Sequence, residues 1–217
     1  MDLVVRIAGA AGQGVQTLGH ILARSSFRRG LYVHGDLSYH SRIRGGENAF
    51  TVRIGDAPIR ATTERADLLI ALNEEMLLLY RPLLRAGGQV VADTELAGEA
   101  GLSVPAVRLA REELGLPIAA GVVLLGAAVR LLGLDPSIVA DEVREAFGER
   151  AEPNLRALAL GQEQVRDGPW CLPCRQFERG EKMLLTGGQA VGMGAIAAGC
   201  RFLASYPMTP RTRSTSR

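Results

Sequence analysis

Apolar residues alternate between two kinds of pattern along residues 3–165. Leu3–Ala8 is a compact run rich in Val and Ile, the signature of a buried strand. After Gly9-Ala-Ala-Gly-Gln-Gly14, the residues Val15, Leu18, Ile21 and Leu22 recur at helical spacing. This predicts a helix over Val15–Arg29, with Gly30 as its stop and a second strand at Leu31–Gly35. Strand, glycine turn, helix and strand in that order form the βαβ unit of an open α/β sheet. The alternation then recurs. Asn48–Ile54 predicts a strand, the turn Asp56-Ala-Pro leads into an extended run at Ile59–Ala61, and Leu68–Leu72 is a further buried strand. Glu74–Leu84 predicts a helix stopped by Gly87-Gly88, followed by a strand at Gln89–Ala92. Residues 105–114 fit neither period. Pro117–Leu132, Pro136–Phe147 and Asn154–Val165 predict three helices, the second with Asp135 as N-cap and Pro at its first turn.

The pattern changes after residue 165. Residues 166–182 hold prolines, glycines and many charges, the chemistry of a linker. Residues 183–210 then predict a strand, a glycine-rich turn, an apolar helix with Cys200 packed in it, and a Tyr206-Pro-Met-Thr-Pro210 loop. Only seven polar residues follow, too few to supply a sheet for that helix to pack against. The expected organisation is a complete domain over 1–165, a linker over 166–182, and the truncated opening of a second domain over 183–217. Val191, Met193, Ile196 and Phe202 are then left exposed. Truncation, a frameshift and the end of the sequenced segment all remain open as its origin.

Composition narrows the function classes. A hydrophobic fraction of 47% with 22% charged residues is that of a globular protein able to bury a core. A net charge of +2 does not argue for nucleic acid or an anionic membrane as partner. The stretch Ile118–Val129 is about a dozen residues long, short of the roughly 20 needed to span a bilayer. The opening Met-Asp-Leu-Val-Val is unlike a signal peptide, and three cysteines make no disulfide framework. These features predict a cytoplasmic protein.

Four stretches could carry chemistry. Gly9-x-x-Gly12-x-Gly14 stands at a strand-to-helix junction, where glycines let backbone N–H groups approach an anion. Its spacing differs from the dinucleotide fingerprint and it lacks the P-loop lysine, so a tight turn serving packing alone is the competing reading. Asp36 stands where a ribose-binding acid would, but the broken glycine spacing makes that a coincidence. His40-Ser-Arg42-Ile-Arg44-Gly45-Gly46-Glu-Asn48 offers two guanidinium groups for a phosphate or carboxylate, or is a solvated loop. Cys171-Leu-Pro-Cys174 is half a metal or redox motif without its other half. Two prolines around Tyr206-Pro207-Met-Thr209-Pro210 hold the Thr209 hydroxyl in a fixed loop.

Together these stretches resemble the thiamine-dependent 2-oxoacid:ferredoxin oxidoreductases. Residues 3–165 are similar to the gamma subunit, a Rossmann-like open sheet. The matching residues are Gly12-Gln13-Gly14-Val15, the Ser41-Arg-Ile-Arg-Gly-Gly-x-Asn48 loop, Ala71-Leu-Asn73 and the Asn154…Gly161 helix. Residues 184–210 resemble the start of the alpha subunit, a thiamine-diphosphate pyrimidine-type α/β domain, although Gly188 and Gln189 stand where the family has Asn and Glu. Gamma followed by alpha is the order of the fused large subunit of the 2-oxoglutarate-type enzymes.

The resemblance implies oxidative decarboxylation of a 2-oxoacid to acyl-coenzyme A with electrons passed to ferredoxin. It implies a beta subunit as partner, carrying the iron–sulfur cluster and the diphosphate-binding half of the thiamine site. Thr209 is the implied catalytic residue, near the 2-oxoacid carboxylate, with Tyr206 and Pro207 beside the cofactor. Gly12, Gln13, Gly14, Arg42, Arg44, Gly45, Gly46 and Asn48 are the implied cofactor or coenzyme A contacts. No protein-bound metal is expected on this chain. The competing function is a Rossmann-like scaffold that binds a partner and turns over nothing.

Overall fold

The computed structural model describes residues 1–39, 45–97, 101–166, 168–170, 172 and 182–204. The cysteine pair and the Tyr206–Pro210 loop therefore lie outside the described residues, as do His40–Arg44. The chain divides into two units, Met1–Gln176 and Phe177–Arg217.

In the first unit, strands β1 (Asp2–Ala11), β2 (Tyr32–Tyr39), β3 (Gly45–Gly55), β4 (Ala66–Ala71), β5 (Leu84–Asp93) and β6 (Leu102–Val104) form one sheet in the order β2-β3-β1-β4-β5-β6. β1, β4, β5 and β6 are mutually parallel, while β3 runs antiparallel to both β1 and β2. β1 and β2 consequently point the same way, as the βαβ reading requires, but β3 is inserted between them. That insertion separates Asp36 on β2 from the glycine turn after β1 by a whole strand.

Helices α1 (Val15–Arg28), α2 (Glu74–Tyr80), α3 (Thr94–Ala97), α4 (Ala106–Arg108), α5 (Ala120–Leu131), α6 (Pro136–Phe147) and α7 (Ala151–Glu163) complete the unit. α1 and α5 cover one sheet face. Phe50 of β3 fits between Gly19 of α1 and Gly35 of β2, where any Cβ would meet its ring. The other face is covered at its centre by α2, whose Met76, Leu77 and Tyr80 pack on Ala8, Ala49, Leu69, Ala71 and Val90. α7 lies against α5 at close range. A methyl on Gly161 would fall on the Val123 carbonyl, and one on Gly126 on the Leu158 carbonyl. Small residues at both positions let the two backbones touch. α1 and α6 are joined by Glu142, only 2% exposed, which accepts from Arg24 Nε at 2.8 Å and Arg28 Nη1 at 3.1 Å.

Local signals placed several ends correctly. α6 spans Pro136–Phe147, and the Asp135 carboxylate accepts the Ser137 N–H at 2.9 Å. Three expected elements are corrected, and one unassigned stretch is resolved. Gly87-Gly88 sits inside β5, because the helix ends at Tyr80 and a 3₁₀ turn over Arg81–Leu83 leads directly into the strand. Ile59–Ala61 forms no strand; its backbone is used instead to receive Arg53 Nη1 at the Ala61 carbonyl. Residues 105–114, which fit neither period, are the short helix α4 running on into a π-helical turn over Leu109–Glu113.

The third correction lies in the second unit. Residues 182–186 form no strand, since none pairs with them among the described residues. Helix α8 (Gly187–Ala197) does form, closed by a capping box in which Thr186 and Gln189 exchange hydrogen bonds. Cys200 lies beyond its end, exposed, with Sγ against the Phe202 carbonyl at 3.3 Å, and is not packed inside the helix.

Candidate functional site

The carboxyl ends of the parallel strands β1, β4 and β5 open on a cleft of ≈ 370 Å³. From β1 the chain crosses by α1 to one side of the sheet, and β4 continues on the other side. The gap between the ends of β1 and β4 is therefore the topological switch point at which open α/β sheets bind ligands.

The glycine turn stands at this gap. Gly12 (φ 94) and Gly14 (φ 79) both occupy the left-handed region, with open space around the missing side chains. Conformation, and not crowding, is what calls for glycine there. Gly14 is also the N-cap of α1, with no side-chain cap and no acid in the first turn. Between them, Gln13 ties the gap shut. Its Oε1 accepts from the Ala10 N–H at 2.6 Å and from Asn73 Nδ2 at 2.8 Å, and its Nε2 donates to the Leu72 carbonyl at 3.2 Å. Asn73 in turn accepts the Met76 N–H at 2.9 Å as N-cap of α2. Gly9 permits this closeness, since a Cβ there would stand 2.9 Å from Gln13 Oε1 and from Leu72. Gln13 thus has its amide occupied by the protein itself.

The second glycine motif arrives at the same place. In the antiparallel β1–β3 ladder, Gly9 is opposite Asn48 and Ala11 is opposite Gly45. Asn48 is buried, its Nδ2 donating to the Gly46 carbonyl at 3.2 Å, and Gly46 has φ 74. Gly12, Gln13, Gly14, Gly45, Gly46 and Asn48 are therefore brought together at one end of the sheet. Arg42, Arg44, Tyr206, Pro207 and Thr209 lie outside the described residues. Asp36, on β2, is exposed.

The lining of the cleft carries Glu74, Asp93 and Glu95 but no Lys or Arg among the described residues. Asp93 is buried and already engaged, accepting the Glu95 N–H at 3.1 Å and the Val107 N–H at 2.7 Å. Apart from the amides of Gln13 and Asn73, the remainder is glycine or apolar, including Leu72, Leu124 and the exposed Ile118. None of these acids was singled out from the sequence, because only the sheet order brings residues 74, 93 and 95 to the end of β1.

A second polar cluster lies on the α2 face. Arg6 of β1 is 6% exposed, donating Nε to Thr51 Oγ1 at 3.1 Å and Nη2 to the Glu64 carbonyl at 2.8 Å, with its guanidinium 4.8 Å from the centre of the Tyr80 ring. Burial lowers the Arg6 pKa from its usual value, while Tyr80 and Glu64 act to raise it. The Tyr80 hydroxyl donates to Glu47, and burial followed by that hydrogen bond pushes its pKa well up. An Arg within the apolar run Val4-Val-Arg-Ile7 was the one sequence signal for this cluster. Among the described residues no group of His, Cys, Asp or Glu side chains is placed to hold a metal ion, and no helix is long and apolar enough to cross a membrane.

This arrangement matches known proteins. The 2-oxoglutarate synthase subunit KorC of Methanothermobacter thermautotrophicus is 31% identical over 180 residues, covering 76% of this chain and 95% of that protein. The 2-oxoacid:ferredoxin oxidoreductase subunit alpha of Sulfolobus sp. is 23% identical over 94% of this chain but only 40% of its own length. In structure, the keto/oxoacid ferredoxin oxidoreductase gamma subunit of Geobacter sulfurreducens superposes with a TM-score of 0.67 at 27% identity, covering 76% of this chain and 96% of that one. The 2-oxoglutarate:ferredoxin oxidoreductase of Magnetococcus marinus, solved with 2-oxoglutarate, coenzyme A and succinyl-CoA bound, shares the fold with a TM-score of 0.84 at 24% identity. It covers 98% of this chain, which spans 40% of that protein. The family model described as pyruvate ferredoxin/flavodoxin oxidoreductase matches residues 4–164. With its sheet, its paired glycine motifs and that match over most of its length, the chain belongs to the pyruvate ferredoxin/flavodoxin oxidoreductase family.

Proposed function

We propose that this chain supplies the gamma-type part, and in residues 183–217 the opening of the alpha-type part, of a 2-oxoacid:ferredoxin oxidoreductase. Such a complex oxidatively decarboxylates a 2-oxoacid to its acyl-coenzyme A and passes the electrons to ferredoxin. The observation that carries this reading is the order of the matches. The chain aligns along nearly the whole of KorC, and along almost all of its own length with the longer alpha subunit from Sulfolobus sp..

The crevice at the ends of β1 and β4 is the proposed coenzyme A contact. Gly12 and Gly14 leave the first N–H groups of α1 uncapped beside it, which suits a phosphate. The described lining is acidic, so the positive charge is assigned to Arg42 and Arg44, the latter adjacent in sequence to Gly45, which pairs with Ala11. Gln13 and Asn48 act by shaping the turn, because both side chains are spent on the backbone around it. Thr209, with Tyr206 and Pro207, is the proposed contact to the 2-oxoacid and thiamine. Thiamine diphosphate, when bound, stabilises the carbanion left by decarboxylation. The iron–sulfur cluster and the diphosphate-binding half of the thiamine site are assigned to a beta subunit, which hands electrons to ferredoxin. The reaction's setting is the cytoplasm.

A scaffold reading is favoured by one observation: the amide of Gln13 and the carboxylate of Asp93 are already satisfied within the fold. Co-purification from the native host separates the two. The enzyme reading expects a thiamine-containing subunit to be recovered and acyl-coenzyme A to form when 2-oxoacid, coenzyme A and a low-potential acceptor are added. It also expects the isolated chain to turn over nothing. Recovery of the partner with no turnover, and with coenzyme A affinity unchanged in Arg44→Ala, leaves the scaffold reading standing.

A further inference from the structure

The two edges of the sheet are built differently. β6 spans only Leu102–Val104, a short edge of the kind that resists pairing with other chains. β2 is eight residues long and, among the described residues, pairs on one side only, with β3, in a register that runs unbroken from Tyr32 opposite Gly55 to Tyr39 opposite Asn48. It contains no Pro, no Lys and no bulge, the devices that usually blunt a long edge strand.

Its side chains are also arranged symmetrically about Gly35. Val33, Gly35 and Leu37 occupy the face toward α1, where Gly35 stands against the Phe50 ring. His34 and Asp36 occupy the opposite face, and Asp36 is exposed. Within the chain, His34 is opposite Arg53, a cation already held by Asp2 at 2.7 Å and 2.9 Å, and Asp36 is opposite Thr51. Neither has a hydrogen-bonding partner of complementary kind directly opposite on β3, while Asp36 lies within the field of Arg6 on β1.

We propose that the free edge of β2 pairs antiparallel with β2 of a second copy of this chain, with the two-fold axis at Gly35. Residues equidistant from Gly35 then face one another. His34 of each copy meets Asp36 of the other, twice over, and Val33 meets Leu37 on the opposite face. A carboxylate accepting from an imidazole N–H and an apolar pair are both cross-strand contacts that stabilise an antiparallel ladder. The interface is isologous, as a two-fold dimer requires. It extends the sheet from six strands to twelve across the two copies and leaves the cleft at the end of β1, the third strand from this edge, open. One strand pair covers less area than a tight dimer needs, so the dimer is weak and dissociates on dilution.

The test is sedimentation of the full chain across a roughly hundredfold dilution, with amide exchange read at Val33–Ser38. The proposal expects a monomer–dimer equilibrium and slower exchange of alternate β2 amides at the concentrated end. Asp36→His and His34→Asp each place like side chains opposite one another at two symmetric positions, and each should weaken the dimer by roughly tenfold. The double swap, His34→Asp with Asp36→His, recreates both pairs and should return to within about threefold of the parent. Thermal unfolding of the dilute variants checks that the monomer is intact. A monomer at every concentration overturns the proposal. So does a dimer indifferent to both single substitutions, which would be held elsewhere, for example by the exposed apolar residues of α8. Protection of β2 only on adding a different subunit would give the edge to another chain and equally overturn self-pairing.

Discussion

Helices α5 and α8 are built from much the same residues, chiefly Ala, Gly and medium-sized apolar side chains, and they meet opposite fates. In α5 every residue from Val122 to Val129 is buried, between the sheet and α7. In α8 none is buried. Val191 and Ile196 are each 72% exposed, and Phe202 just beyond is 85% exposed. α8 nevertheless has the better local start, a full capping box, whereas the Ala119 N-cap of α5 makes no side-chain bond. The difference teaches that capping and propensity suffice to draw a helix, while burial is decided by what the rest of the chain places against it.

The largest consequence is in local stability. Amides of α5 should exchange only with global unfolding, several orders of magnitude more slowly than those of α8, which should exchange nearly as free peptide. Trypsin should cut after the exposed Lys182 and Arg201 before any site between β1 and α7. Protection in α8 comparable to that in α5 would break the comparison by showing that α8 docks.

Glycine substitutions sharpen it. Gly161→Ala should cost unit one about 3 kcal/mol or more in denaturant unfolding, because the methyl meets the Val123 carbonyl and the helices must part. Gly194→Ala in α8 meets nothing within 4 Å and should raise helical circular dichroism, favouring the helix by about 0.5–1 kcal/mol with no change in the unfolding midpoint of the first unit. Equal effects at the two positions would contradict the contrast.

Between these extremes, Glu142→Ala should destabilise the first unit by about 1–3 kcal/mol, since it strips a buried hydrogen-bonded carboxylate from Arg24 and Arg28. Glu142→Gln should recover part of the packing but not the ion pairs. Identical melting temperatures for the parent and Glu142→Ala would make the cluster an idle surface feature.

The smallest effects are at the caps. Asp135→Ala should cost about 1 kcal/mol near neutral pH. Hydrogen bonds from Ser137 hold the Asp135 carboxyl below the ordinary carboxylate range, so its contribution is whole above the unfolded-state value and fades as pH falls through the lowered folded-state value. Parent and variant melting temperatures should therefore converge in strong acid. Thr186→Ala, the matching change in α8, should reduce helicity while leaving the melting temperature of the first unit untouched.

Legibility of the site followed the same division. The glycine turn could be read from Gly12-Gln13-Gly14 because left-handed backbone at a strand-to-helix junction has few other residues to use. Its role as a knot could not, since Leu72 and Asn73 are some 60 residues away and only the parallel pairing of β1 with β4 brings them to Gln13. The cluster of Arg6, Thr51, Glu47 and Tyr80 was hidden for the same reason, its members coming from three elements, β1, β3 and α2. Gly161 was legible as a matching family position, while its reason, contact with the α5 backbone, is purely tertiary.

The sequence by itself determined the existence and type of most strands and helices of the first unit, with ends that shift by several residues in places. Period-2 and helical apolar patterns, an Asp before Pro at α6, and glycines at forced backbone angles all act within a few residues. It also determined that an apolar helix follows the glycines near residue 187, which the structure places at Gly187–Ala197. Only the tertiary structure decided that β3 enters between β1 and β2, that Gly87-Gly88 continues a strand instead of ending a helix, and that the two glycine motifs meet at one end of the sheet. Those outcomes depend on pairing between distant segments, whose free energy comes from burying both faces of the sheet at once and is absent from any local window.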